Sequence, residues 1–228
     1  MIPLRDDNPI DTVPFVNYGI IAVNIAVFLY MLTLGEGSAE RFIRSYAMAP
    51  GAVLGDYLRP SALPAPLTAV TSMFLHGGLL HVAGNMLFLW VFGDNIEDAL
   101  GHLRYVVFYL ACGVAAAMSH ALLNPGSTVP MLGASGAVSG VLGAYMVLYP
   151  RARVWTFFFL LIWWQVLPVP AVYVIGLWIA IQVLNGLTSG QSGGGIAWFA
   201  HVGGFAAGLL LIFLFGGTRL RRARGYYN

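Results

Sequence analysis

The sequence contains no lysine and only one cysteine, and charged residues make up 9% of its 228 residues. An ordinary soluble domain carries about 25% charged residues, so most of this chain is not suited to face water. The single cysteine, Cys112, excludes an intrachain disulfide and a cysteine-cluster metal site. The sequence also has no Gly-rich phosphate loop, basic groove or H-E-x-x-H motif. We therefore expect no metal, no cofactor and no nucleic-acid partner.

Apolar residues dominate the chain and make up 59% of it. A helix needs about 20 predominantly apolar residues to cross a bilayer, and six segments approach that length. They run over residues 14–34, 79–96, 103–123, 133–149, 170–187 and 196–215. We predict an all-α polytopic membrane protein built as a six-helix bundle. Its predicted parts are a tail at 1–13, a six-span domain at 14–215 and an Arg-rich tail at 216–228.

The arginines predict how this bundle is oriented in the membrane. With a cytoplasmic N-terminus, eight arginines lie inside, namely Arg5, Arg104, Arg151, Arg153, Arg219, Arg221, Arg222 and Arg224. Only three lie outside, all in one loop: Arg41, Arg44 and Arg59. This bias follows the positive-inside rule and predicts that both termini are cytoplasmic. The acidic residues before the first span are not typical of a signal peptide, so we expect that span to be retained.

Two regions do not fit a simple bundle. The first outer loop, residues 35–66, is long and mixes charged with aromatic residues, which predicts an interfacial element with a short helix near 38–48. Residues 154–170, "VWTFFFLLIWWQVLPVP", are nearly as apolar as a span. We interpret this segment as an interfacial or re-entrant piece on the cytoplasmic side. The alternative, that it forms the fifth crossing itself and continues through Pro168, stays open.

Polar side chains inside the spans are informative, because each is costly in hydrocarbon unless it is satisfied. His81 and Asn85 are four residues apart and therefore share one face of the second span, with His76 just before it. Ser135 opens the fourth span, and His201 lies one turn into the sixth. All three spans run inward in the predicted topology, so these side chains arrive at a similar depth near the outer surface. We predict that they form one site.

The fourth span is short for a bilayer crossing. Its 17 residues cover about 25 Å, against a hydrocarbon thickness of about 30 Å. Ser135 is thus expected at a submerged helix N-terminus, where backbone N–H groups favour negative charge. Two G-x-x-x-G pairs, formed by Gly136 with Gly140 and by Gly204 with Gly208, are typical of helix faces that pack closely in lipid. If these two faces meet, Ser135 and His201 are brought together.

These residues suit nucleophilic catalysis. A neutral imidazole within hydrogen-bonding reach activates a serine, and the oxyanion that follows needs donors, which His81, Asn85 and the Ser135 backbone N–H can supply. None of the nine carboxylates is predicted near this site. A Ser–His dyad is therefore the chemistry available.

The motifs H-x₄-H-x₃-N at 76–85, "GASG" at 133–136 and "AHVGGFAAG" at 200–208 together resemble the rhomboid intramembrane serine proteases. The resemblance implies that Ser135 is the nucleophile and His201 its base, and that His81, Asn85 and the Ser135 amide bind the oxyanion. His76, Gly133 and Gly136 are possible supporting residues. The implied substrates are transmembrane proteins cut in or near their membrane helix, admitted by a gate at the fifth span. The long first loop would match the membrane-embedded first loop of the family.

Some features depart from the rhomboid pattern. The first loop has no tryptophan, where some members carry a Trp-Arg pair, and Ser139 stands where many members have an aromatic residue that packs on the base. The main alternative function is an inactive rhomboid-like protein that binds or escorts membrane helices, and a transporter or proton relay is a further one. By analogy with rhomboids that have no appended soluble domain, we expect the chain to lie in the lipid of a bacterial inner membrane. The sequence does not predict the natural substrate or the oligomeric state.

Overall fold

The computed structural model describes residues 1–56, 62–160, 163–188 and 197–216. Predictions that concern Arg59, most of the outer loop at 188–195 and the Arg219–Arg224 cluster lie outside these residues. The helices are α1 Phe15–Thr33, α2 Glu36–Tyr46, α3 Pro50–Leu54, α4 Thr68–Thr71, α5 Leu79–Leu100, α6 His102–Leu123, α7 Ser135–Leu148, α8 Ala171–Thr188 and α9 Trp198–Leu214. Short 3₁₀ turns at Ala65–Leu67 and Ser72–Phe74 flank α4. The strands are β1 Ile2–Asp6, β2 Arg153–Leu160 and β3 Trp163–Pro170.

A long helix occupies each of the six segments predicted as spans. Four of them, α1, α5, α6 and α8, are long and apolar enough to cross a membrane by length and composition. The other two, α7 and α9, are apolar but have only 14 and 17 residues. The chain is therefore a mostly helical protein with four candidate membrane spans, whereas the predicted count of six crossings stays a prediction.

Helix α7 lies at the centre of the bundle. It makes its most extensive contacts with α9 and also packs against α6 and α5. Nearly every residue of α7 is buried, including Val141, Leu142 and Tyr145, and these belong to the main hydrophobic core. Neighbouring helices therefore surround α7 on nearly all sides. This position gives the N-terminus of α7 a fixed place within the bundle.

The all-α prediction is wrong for residues 153–160 and 163–170, which form the two strands of a β-hairpin. Strand β2 pairs antiparallel with β3 and also with β1, so the sheet order is β1-β2-β3. The segment predicted as an N-terminal tail at 1–13 thus contributes strand β1 to the sheet. The structure also contradicts a fifth crossing that runs through Pro168, because helix α8 begins only at Ala171. Apolar runs look alike in buried strands and helices. The aromatic and β-branched residues here favour a strand, and the prolines disfavour a helix.

The first outer loop contains the expected short helix, since α2 covers Glu36–Tyr46. Beyond it the chain packs on the connection between α6 and α7. The Met48 amide donates to the Met131 carbonyl at 3.0 Å, and the Gly51 amide donates to the Ser127 carbonyl at 2.9 Å. These backbone bonds brace the segment that leads into Ser135.

Candidate active site

Ser135 is the first residue of α7, and a tight backbone turn precedes it. Gly133 has a φ of +126°, which L side chains rarely adopt, and its amide donates to the Ser72 carbonyl at 2.9 Å. The Ser135 hydroxyl lies 2.7 Å from Nε2 of His201 on α9. Its backbone N–H lies in the first turn of α7, where N–H groups have no acceptor within the helix.

Glycines allow the close contact between α7 and α9 that joins these two residues. A Cβ added to Gly208 would lie 2.6 Å from the Gly140 carbonyl carbon, and one added to Gly204 would lie 3.0 Å from the Gly136 carbonyl carbon. Either atom would force the two backbones apart. The structure thus brings the two glycine pairs of the sequence into contact, and the contact sets the distance between Ser135 and His201.

Asn85 and the two nearby histidines lie beside the N-terminus of α7. The Asn85 side-chain amide donates to Nε2 of His76 at 3.0 Å, and the Ala134 N–H approaches the same nitrogen at 3.4 Å. The His81 ring packs edge-on against His76, with centroids 5.0 Å apart. A Cβ on Gly133 would lie 2.6 Å from Nε2 of His81. Gly133 therefore leaves room for this imidazole next to Ser135.

Two tryptophans pack on the His201 ring. The Trp178 centroid lies 5.9 Å from it and the Trp198 centroid 6.2 Å from it. Ser139 is fully buried and donates to the Ser135 carbonyl at 2.5 Å, so it is satisfied within its own helix. Aromatic packing on His201 thus comes from α8 and α9 rather than from position 139.

Sequence reasoning missed one site residue, Gln182 on α8. Its side-chain oxygen lies 2.6 Å from Nδ1 of His201, so both ring nitrogens of that histidine have a partner. Gln182 is only 7% exposed, although α8 is otherwise an apolar helix with most of its surface uncovered. An amide in the interior of a predicted span was the available signal.

These side chains line a cavity of about 1140 Å³. Its walls include Ser135, His201, Asn85, His81 and Gln182, while His76 lies behind Asn85. Between α5 and α8 the wall includes the ring pair of Phe88 and Trp178, with centroids 6.2 Å apart. Within the described part of the chain, no cluster of His, Cys, Asp or Glu could hold a metal ion.

The arrangement can perform acyl transfer. A hydroxyl, an imidazole at hydrogen-bonding distance and several N–H donors converge at a helix N-terminus beside a cavity. Those are the parts that an activated serine and an oxyanion require. His120 and Asn124 also line the cavity. The Asn124 side-chain amide contacts Nδ1 of His120 at 3.3 Å, within one turn of the α6 C-terminus.

The comparisons with known proteins all indicate the same family. A sequence profile described as "Rhomboid domain" matches residues 65–218. The chain is 29% identical over 203 residues to "Rhomboid protein 1, mitochondrial" of Saccharomyces cerevisiae, which covers 85% of this chain and 51% of that protein. It is 28% identical over 135 residues to "Rhomboid protease GluP" of Bacillus subtilis, which covers 58% and 24%.

A third relative is the human "Presenilin-associated rhomboid-like protein, mitochondrial", 32% identical over 137 residues, with 59% of this chain and 33% of that protein covered. The chain spans about half or less of the length of these relatives. The four helices that are long and apolar enough to cross a membrane support membrane insertion. The mitochondrial relatives count against the predicted bacterial inner membrane.

Proposed function

Since the chain belongs to the rhomboid family, we propose that it is an intramembrane serine endopeptidase that cleaves membrane-protein substrates. The observation that carries this proposal is the 2.7 Å contact between the Ser135 hydroxyl and Nε2 of His201. The contact joins two residues that are 66 positions apart in sequence and lie on different helices, and it faces a cavity. One matched relative, GluP, has "protease" in its name.

In the proposed reaction, the Ser135 oxygen attacks the scissile carbonyl carbon while its proton passes to Nε2 of His201. The carbonyl oxygen becomes an oxyanion, and the Ser135 N–H, the Asn85 amide and His81 donate hydrogen bonds to it. The C–N bond then breaks, and the leaving amine takes the proton from His201. Water, deprotonated by the same imidazole, hydrolyses the acyl-enzyme and releases Ser135.

His76 has a supporting role in this mechanism. Because its Nε2 accepts a hydrogen from Asn85, it orients the Asn85 amide with the NH₂ group at the site. The second hydrogen of that NH₂ group is then available to an oxyanion. His76 thus acts through Asn85 and need not touch the substrate.

Substrate access is proposed to be lateral, between α5 and α8. The cavity wall there contains Leu79, Leu80 and Phe88 from α5 and Trp178 from α8. Leu79 and Leu80 are exposed apolar residues, so this opening is suited to a membrane helix rather than to a soluble peptide. The proposed substrate class is accordingly transmembrane proteins within the same bilayer.

The first prediction tests the dyad directly. In liposomes that contain the full chain and a single-span test substrate, Ser135→Ala and His201→Ala should each lower cleavage by at least about 1000-fold. A fluorophosphonate probe should label the unsubstituted protein at Ser135 and label neither variant. Ser139→Ala is the matched control, because it removes a buried hydroxyl from the same helix and should retain activity.

The outcomes separate the alternatives. Cleavage that persists in Ser135→Ala would show that the nucleophile is wrong. An unsubstituted chain that binds the helix of the test substrate, yet neither cleaves it nor reacts with the probe, would support an inactive binding or escort protein. Thermal unfolding in detergent should be alike for all variants, which verifies that they fold.

A further inference from the structure

Gln182 contacts the side of His201 that faces away from Ser135. Its Oε1 is 2.6 Å from Nδ1 of His201, while Nε2 of the same ring is 2.7 Å from the Ser135 hydroxyl. The three side chains come from α8, α9 and α7 and form one continuous line of hydrogen bonds. The dyad therefore has a third polar member, and it is a neutral amide.

The chemistry of the imidazole decides what this contact does. A neutral histidine carries one ring hydrogen, so it can accept at one nitrogen only if the hydrogen is on the other. To take a proton from Ser135, Nε2 must be free of hydrogen, which leaves the hydrogen on Nδ1. The Gln182 oxygen accepts that hydrogen and favours the tautomer that can act as a base.

We propose that Gln182 is a positioning residue that holds His201 in its base-competent tautomer and thereby makes that tautomer depend on where α8 lies. The inference rests on the proposed function, because it assigns a role within the same reaction. Gln182 need not touch the substrate, since it acts through the imidazole.

The packing of α8 explains why the tautomer of His201 depends on the position of this helix. Its other buried residues, Ala171, Val174 and Ile175, lie in the first turns, next to the β-hairpin. Further along, Leu177, Ile181 and Leu184 are exposed, and Gln182 is the buried residue that reaches α9. A displacement of α8 that admits a helix would therefore take the acceptor away from Nδ1. His201 regains the competent tautomer when α8 returns.

Two substitutions separate this role from simple filling of space. Gln182→Met keeps the length of the side chain but removes the acceptor, and one hydrogen bond corresponds to about a tenfold change in an equilibrium. We expect kcat to fall about tenfold or more with KM little changed. Gln182→Glu supplies an oxygen that only accepts, so it should retain activity. Its negative charge stabilises the imidazolium, so the acid limb of the kcat/KM profile should move to higher pH by about one unit.

A small fluorophosphonate probe distinguishes positioning from gating. The probe reacts with Ser135 without needing a membrane helix to enter, so its labelling rate in Gln182→Met should fall in parallel with kcat. Thr188→Val is the matched control on α8, because the Thr188 hydroxyl bonds to the Leu184 and Asn185 carbonyls of its own helix. It should leave labelling, kcat and the pH profile unchanged.

The outcomes that overturn the inference differ from those that overturn the proposed function. If the unsubstituted chain is active but Gln182→Met is labelled at the same rate, Gln182 does not position His201. An acid limb of Gln182→Glu that coincides with that of the unsubstituted chain would lead to the same conclusion. If the unsubstituted chain itself is neither labelled nor active, the proposed function is what fails.

Discussion

The two ends of the helical bundle both bury polar side chains, but they use them in opposite ways. At the end remote from Ser135, which we term the far end, the Glu97 carboxylate accepts hydrogens from the Val16 and Asn17 backbone amides, at 3.1 and 2.6 Å, and contacts His102 at 2.5 Å. Neighbouring Asp98 accepts from the amide and hydroxyl of Thr12, at 2.9 and 2.7 Å. These carboxylates cap the start of α1 and hold the N-terminal segment on α5.

At the end that carries Ser135, polar groups face a cavity and keep hydrogens available. Asn85 gives one amide hydrogen to His76, and the second can reach the cavity. The lesson is that polarity within a membrane helix does not identify a reaction site by itself. A polar group whose partners are complete stabilises the fold, while one with spare donors beside a cavity can stabilise a transition state.

The largest effect that sharpens this comparison is expected at Asn85. Asn85→Ala removes a proposed oxyanion donor, and the loss of one such donor is expected to lower kcat by about 100- to 1000-fold. Steady-state cleavage of a transmembrane test substrate in liposomes measures this effect. The melting temperature should change little, because only one hydrogen bond to His76 is lost.

Asn124→Ala is the control for that experiment. Asn124 also lines the cavity, but its side-chain amide donates to the His120 carbonyl in the preceding turn at 2.9 Å. This variant should stay within about threefold of the unsubstituted rate, since no transition-state contact is lost. Equal losses in the two variants would contradict the assignment of Asn85 to the oxyanion.

An intermediate effect, on stability instead of rate, is expected at the far end. Glu97→Ala leaves the amides of Val16 and Asn17 without their acceptor and should lower the free energy of unfolding by about 3 kcal/mol. The turnover of the protein that remains folded should be unchanged. Unfolding in mixed micelles, together with active-site titration by the fluorophosphonate probe, measures both quantities.

Glu40→Ala provides the comparison for Glu97. Glu40 is an exposed residue of α2 that pairs with Arg44 one turn away, at 2.8 Å. Exposed pairs of this kind contribute only a few tenths of a kcal/mol, so the variant should unfold like the unsubstituted protein. If Glu97→Ala slowed turnover as strongly as Asn85→Ala, the division between the two ends would not hold.

Much of the fold and of the site could be predicted from local patterns. The helical segments follow from apolar runs of suitable length, and the grouping of Ser135, His81 and Asn85 follows from their places along those runs. The β-hairpin did not follow, because a run such as "VWTFFFL" is equally apolar in a strand or a helix. The roles of Gln182 and Glu97 depend on partners 19 and 80 residues away, which no local pattern contains.

The smallest effect is expected at β1, which contacts the far end of the bundle through Asp6 and Tyr145. The Tyr145 hydroxyl donates to the Asp6 carboxylate. Burial raises the pKa of Asp6 from 3.8 to about 7; the Tyr145 hydrogen bond lowers it, and the charges of Asp94 and Asp7 raise it further. Between about pH 4 and 7 the folded state therefore holds a proton that the unfolded state has lost, so the stability of β1 falls as pH rises.

Asp6→Asn removes this pH dependence, because the amide is neutral at every pH. Hydrogen exchange of the Ile2–Asp6 amides, corrected for intrinsic rates, should be alike in both proteins below about pH 4, where Asp6 is protonated in the folded and in the unfolded state. At pH 8 it should be slower in the variant, since only the unsubstituted β1 then carries a buried charge. Asp56→Asn, which removes a carboxylate in the first outer loop, should follow the unsubstituted profile. If Asp6→Asn followed that profile too, the Asp6 carboxyl would not be what weakens β1 at high pH.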